Sequence, residues 1–108
     1  MTLYGIPNCD TCRAAKKALE GAGNPLTFHD VRSDPLERET LARFHATFGE
    51  SLVNRRSTTW RGLSEEARGG DPIDLLLANP TLMKRPVIEA KGALTLGWDA
   101  TAKATHLG

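Results

Sequence analysis

Thr2-Leu3-Tyr4-Gly5-Ile6-Pro7-Asn8-Cys9-Asp10-Thr11-Cys12 carries the reading of the fold. Thr2 to Ile6 has the composition of a short strand, and Pro7-Asn8 ends it. From Asp10 to about Ala22 the period changes. Alanines and Leu19 gather on one side while Arg13, Lys16, Lys17 and Glu20 fall elsewhere, which predicts a helix. Asn8 is its expected cap, and Gly23-Asn24-Pro25 its stop. Two cysteines, Cys9 and Cys12, therefore sit where a first strand passes into a helix. A thiolate at a helix N-terminus gains from unpaired N–H groups and the macrodipole, which lowers its pKa. Residues three apart in the first turn share a face, with Cα atoms roughly 5 Å apart, close enough for a disulfide. The second thiol is then placed to attack a mixed disulfide on the first. Arg13 and Lys16 add positive potential, and Asp10 opposes it.

Outward from this unit, Leu26 to Val31 alternates as a second strand and runs into a turn at Ser33-Asp34-Pro35. The middle reads as helical. Leu36 to Phe48 carries apolar residues at helical spacing before Gly49, Gly62 to Ala67 predicts a short helix, and Asp71-Pro72 opens another that runs to Asn79-Pro80. Pro86 to Ala90, a Lys91-Gly92 turn and Ala93 to Gly97 form a hairpin signal, followed by a last helix from Asp99 to about His106. The order is βα, β, a helical block, then ββα. Parallel neighbours need a crossover, which the first helix supplies. The expected architecture is an α/β, thioredoxin-like fold. It has a small mixed sheet, flanking helices and an inserted helical block at about 36–80, all within one domain over 1–108.

Composition narrows the function. The chain has 108 residues, 40% hydrophobic and 25% charged, with a formal net charge of +1. That charge gives no general reason to bind nucleic acid or an anionic membrane. No apolar run reaches the roughly 20 residues of a membrane span. The opening residues lack a basic region and a long apolar stretch, so no signal peptide is expected and a cytoplasmic location is. Two cysteines do not make a secreted disulfide scaffold. In a reducing compartment a close pair is more readily reactive than structural. A structural zinc site needs four ligands, and one CxxC with His29, His45 and His106 scattered does not supply them, so no metal is expected. A buried cysteine acting as a small apolar residue remains the plain alternative, more for Cys12 than for Cys9. The histidines receive no role, and Trp60 and Trp98 read as core or groove residues. Arg55-Arg56, Arg61 and Lys84-Arg85 are the local basic clusters, either binding an anion such as a glutathione carboxylate or forming solvated surface.

Three blocks, Tyr4 to Arg13, Asn54-Arg55-Arg56-Ser57-Thr58-Thr59-Trp60, and Asn79-Pro80 through Lys84-Arg85-Pro86-Val87, resemble the ArsC/Spx/YffB family. The resemblance is nearest to the YffB-type branch and implies a thioredoxin fold with a helical insertion. It implies Cys9 as nucleophile and Cys12 as the second cysteine of a redox pair, a position where glutaredoxin-coupled arsenate reductases carry serine. It implies Arg85 on the anionic substrate and Pro86 as a cis proline facing the cysteine. Arginine is expected where Gly97-Trp98-Asp99 stands, and a further one falls on either Arg55 or Arg56. Loss of a bidentate guanidinium forfeits charge-assisted hydrogen bonds worth about 1.5–3 kcal/mol each, so efficient arsenate reduction is not expected. The function implied is thiol–disulfide oxidoreductase. The resemblance also implies glutathione as co-substrate and glutaredoxin as a candidate partner, and no bound cofactor is expected. Asn8, Thr11, Arg13, Arg55, Arg56, Arg85 and Pro86 are the candidate binding residues. The alternatives are an Spx-like regulator that binds RNA polymerase through a Cys9–Cys12 switch, and arsenate reductase itself.

Overall fold

The computed structural model describes residues 1–108, in two compact units: Met1–Asp34 with Arg85–Gly108, and Pro35–Lys84. The first unit holds β1 (Thr2–Gly5), α1 (Asp10–Gly21), β2 (Thr27–Asp30), β3 (Val87–Ala90), β4 (Ala93–Leu96) and a C-terminal helix (Ala100–Leu107). Its sheet runs β2-β1-β3-β4, with β1 and β2 parallel and the other pairs antiparallel. This is the mixed sheet of a thioredoxin-like fold, with α1 as the crossover between the parallel strands. Leu3, Cys12, Ala15, Leu19 and Ile88 form its core on the α1 face, with Phe28 and Trp98 packed against them. Cys12, Ala15 and Leu19 share one face because they recur at helical spacing.

The punctuation works as the chemistry of each residue predicts. Gly23 at φ +87° lets α1 close, with the Gly23 N–H donating to the Glu20 carbonyl and the Asn24 N–H to that of Leu19. The β3–β4 hairpin turns on Lys91 and Gly92, both at positive φ, as tight two-residue turns require. Asp99 caps the last helix by accepting from the Ala102 N–H at 2.9 Å.

The unit Pro35–Lys84 is the inserted helical block. It holds α2 (Arg38–Phe48), α3 (Thr58–Arg61), α4 (Glu65–Arg68) and α5 (Pro72–Ala78), with single 3₁₀ turns at Gly49–Leu52 and Pro80–Leu82. The C-terminal helix is α6. Leu41, Phe44, Leu52, Val53, Leu76, Leu82 and Met83 are buried. The expected start of α5 holds, since Asp71 accepts from the Ile73 and Asp74 N–H groups and Pro72 takes the first helical position. The expected helix at Gly62–Ala67 does not form as read. Ser57 caps α3 and Ser64 caps α4, each accepting from the N–H three residues on, and Gly62 closes the first of them. Serine caps seven residues apart thus divide the segment into two one-turn helices. No helix is long and apolar enough to cross a membrane.

Candidate active site

Ile6 and Cys9 bracket a tight turn with Pro7 at its first corner, and the Cys9 N–H donates to the Ile6 carbonyl at 3.3 Å. Cys9 itself is the N-cap of α1, in extended conformation. This corrects the sequence reading, in which Asn8 was the cap: Asn8 is exposed outside the helix, and Thr11 lies within its first turn. The N-cap position normally holds an oxygen that accepts from the N–H two or three residues on. Here a sulfur occupies it.

Partial burial raises the Cys9 thiol, but the groups around the sulfur outweigh it. The Cys12 N–H and the Cys12 thiol donate to it, and the Arg85 guanidinium adds a hydrogen bond and a positive charge. Its pKa lies below the ordinary thiol value. Cys12 is fully buried, and burial pushes its thiol up to about 12 despite a favourable contribution from the Ile6 N–H. The two free thiols are therefore unequal. Cys9 is half-buried and ionises readily, while Cys12 holds its proton and donates it toward Cys9. The thiolate is the nucleophile in thiol–disulfide exchange. The arrangement is fitted to thiol-based redox chemistry.

Arg85 reaches this site from the entry to β3. It precedes a cis Arg85–Pro86 peptide bond, and Pro86 is fully buried with its carbonyl accepting from the Gly97 N–H at 2.8 Å. The cis bond agrees with the expectation carried by the family resemblance. The charge expected from Arg13 and Lys16 is directed elsewhere: Arg13 pairs with Asp10, and Lys16 with Glu20 at 3.4 Å. Arg13 and Lys16 instead line a cavity of about 370 Å³ with Pro7 and Phe28. Arg55 and Arg56 belong to the helical unit. At Gly97–Asp99, where the family resemblance implies an arginine, Gly97 adopts φ +81° and Asp99 caps α6.

One residue of the site escaped the sequence reading. A Cβ built on Gly5 would lie 2.5 Å from Cys12 Sγ, so only glycine leaves room for the buried sulfur. The available signal was a glycine inside a strand, which often marks the close approach of another group.

Replacing Arg85 tests its part directly. Arg85→Gln removes a donor and a charge that favour the thiolate, so the midpoint of Cys9 alkylation against pH moves upward. The rate at pH 6 falls more than the rate at pH 9, because the ionised fractions of the two proteins converge as the pH rises. Arg85→Lys, which keeps the charge and loses the planar fork, falls between them. Superimposable pH profiles for wild type and Arg85→Gln would remove Arg85 from the site.

Known proteins share this architecture over nearly the whole chain. An uncharacterized protein of Haemophilus influenzae is 39% identical over 104 residues, covering 92% of this chain and 91% of that relative. The global transcriptional regulator Spx of Streptococcus pyogenes is 30% identical over 105 residues, 92% of this chain and 78% of Spx. Among solved structures, a YffB protein matches with a TM-score of 0.91 at 36% identity, covering 99% of this chain and 98% of its own. An arsenate reductase (ArsC) related protein from Brucella melitensis matches at 0.74 and 43%, covering 95% and 91%. With residues 4–104 matching the ArsC family model, this chain belongs to the ArsC family.

Proposed function

We propose that the protein is a thiol–disulfide oxidoreductase that uses glutathione as co-substrate in the cytoplasm. The observation that supports this reading is the pairing of a half-buried Cys9 at the N-cap of α1, where Cys12 and Arg85 lower its pKa, with a fully buried Cys12 thiol whose pKa is raised. In the first step the Cys9 thiolate attacks one sulfur of a disulfide RS–SR′. A Cys9–SR bond forms, the S–S bond breaks, and R′S⁻ leaves. In the second, Cys12 loses its proton to solvent or the departing thiolate and attacks Cys9 Sγ. This releases RS⁻ and leaves the Cys9–Cys12 disulfide. Two glutathione thiols then reduce that disulfide in turn, yielding glutathione disulfide. Arg85 stabilises Cys9 as thiolate and leaving group and takes the anionic part of the substrate, while Arg13, Asn8 and Thr11 flank the entering chain.

Glutathione disulfide and mass spectrometry test the scheme. Cys12→Ser is expected to accumulate one glutathione on Cys9. Wild type is expected to pass to the Cys9–Cys12 disulfide, with the adduct held below about a tenth of the Cys12→Ser level, because resolution is intramolecular. A Cys12→Ser protein that stays unmodified at millimolar glutathione disulfide would refute the reading. The 30% identity to Spx favours one second reading, a redox-switched regulator that binds RNA polymerase. Stable capture of the polymerase α subunit, without turnover of glutathione or exchange with glutaredoxin, would select it.

A further inference from the structure

Pro7, Arg13, Lys16 and Phe28 enclose a cavity of about 370 Å³ that runs from the Cys9 turn along α1. We propose that this cavity is the subsite for an apolar side chain of a peptide disulfide, carried two residues from the cysteine that Cys9 attacks. This subsite rests on the thiol–disulfide reading of Cys9 and adds to it the class of substrate. All four residues belong to the unit that carries Cys9.

The cavity begins at the nucleophile. Pro7 is the first corner of the turn that ends at Cys9, and the Arg13 N–H donates to the Cys9 carbonyl at 3.0 Å. Arg13 is thus one helical turn below Cys9 and Lys16 three residues further, about 6 and 10 Å along the axis at about 1.5 Å per residue. Positions 9, 13 and 16 share one face. Side chains on a helix lean toward its N-terminus, so Arg13 and Lys16 cover the turns nearer Cys9. An extended peptide advances about 3.3 Å per residue, and side chains two apart point the same way. A side chain two residues from the substrate cysteine therefore lies about 7 Å from it, the reach needed to enter the cavity while that cysteine meets Cys9.

The lining sets the chemistry of the occupant, because its walls are mostly carbon. Pro7 supplies an exposed ring. Phe28 is half-buried, packs against the core cluster that holds Leu3 and Cys12, and turns its remaining surface to the cavity. Arg13 and Lys16 contribute their methylene stems, since their charged ends are held by Asp10 and, at 3.4 Å, by Glu20. Two cations matched by two carboxylates leave the rim electrically balanced. An anionic group gains no net attraction there, whereas an apolar group gains by leaving water. The volume stands near the lower end of small-molecule sites, about 300–1,000 Å³, which suits one aliphatic or aromatic side chain.

The test is the rate at which the reduced protein releases thiol from symmetric disulfides of the end-blocked peptides X-glycine-cysteine-glycine-X, where X is leucine, serine or glutamate. Flanking the cysteine on both sides covers either chain direction. Each second-order rate is divided by that of the same disulfide with dithiothreitol, which removes differences in intrinsic reactivity. The leucine peptide is expected to react about tenfold faster than the serine peptide, and the glutamate peptide no faster than serine. Lys16→Trp fills the cavity from its rim and should bring the leucine-to-serine ratio below about threefold. Lys16→Gln keeps most of the stem without the charge and should keep the preference, a contrast that a general loss of structure does not produce. Equal rates for leucine and serine, a glutamate peptide faster than the leucine one, or an unchanged ratio in Lys16→Trp would overturn the subsite and leave Cys9 as the nucleophile. No release from any of the three would overturn the thiol–disulfide reading, and the subsite with it.

Discussion

Cys9→Ser is expected to abolish rapid thiol alkylation at pH 7 while leaving the protein folded. Serine is among the preferred N-cap residues, so the substitution retains a side chain able to accept from the first turn of α1. It removes only the nucleophile. The remaining thiol, Cys12, is fully buried, and that burial, the largest of the causes that push its pKa up, persists when the neighbouring Cys9 sulfur is removed. An ordinary thiol is about 1% ionised at pH 7, and Cys9 lies below the ordinary value and so ionises further. Lower ionisation and burial of Cys12 together are therefore expected to cut the alkylation rate by about 10²-fold or more. The measurement is the second-order rate constant for iodoacetamide, with the modified residue located by peptide mapping. A rate in Cys9→Ser within tenfold of wild type would mean that Cys12 carries the reactivity, and the order of steps proposed above would have to be reversed.

That order depends on the placement of two sulfurs that lie three residues apart in one motif. The motif is symmetric on paper and the fold makes it asymmetric. Cys9, at the N-cap, looks outward toward Arg85, whereas Cys12, one turn in, joins Leu3, Ala15, Leu19 and Ile88 in the core. A sequence gives the spacing that allows a disulfide, but not which sulfur is buried.

The same distinction separates what was legible from what was not. Strands, α1, α5, the hairpin and the last helix follow from period and punctuation, because Pro7, Asp71-Pro72, Lys91-Gly92 and Asp99 act on their own neighbours. The split of the middle block into α3 and α4 rested on equally local serine caps. It was missed because one-turn helices carry no apolar period. Asn8 was read as the cap from its chemical type, since sulfur is not among the usual capping atoms; the backbone gave that place to Cys9. Arg13 and Lys16 looked close to the cysteines in sequence, yet their helix supplies Asp10 and Glu20 one turn away. The cation that acts on Cys9 comes from Arg85, more than seventy positions along the chain. Only the pairing of β1 with β3 brings it near, and no local pattern encodes that.

Gly5 is where long-range geometry acts most strongly on a single atom. Gly5→Ala would place a methyl carbon 2.5 Å from Cys12 Sγ and 3.3 Å from both Cys12 Cβ and Leu3 Cδ2. Carbon and sulfur do not approach so closely, and Cys12 and Leu3 are fully buried, so neither can swing into solvent. Overpacking of this kind costs about 1–3 kcal/mol. The clash is chiefly with one sulfur, which permits a stricter test than the loss of stability alone. Cys12→Ala deletes that sulfur and leaves a small void, costing about 1 kcal/mol on its own. In the double variant the new methyl occupies space the sulfur vacated, so the two costs should not add. Urea unfolding of the four proteins of the cycle should give a favourable coupling of about 1–2 kcal/mol, against the few tenths seen for independent sites. The chemistry should follow the packing. In Gly5→Ala the displaced Cys12 resolves the Cys9–glutathione adduct more slowly, so that adduct builds up toward the level of Cys12→Ser while first attack by Cys9 is retained. Additive destabilisation, or normal resolution in a folded Gly5→Ala protein, would mean that Cys12 can leave its pocket freely and that Gly5 does not position it.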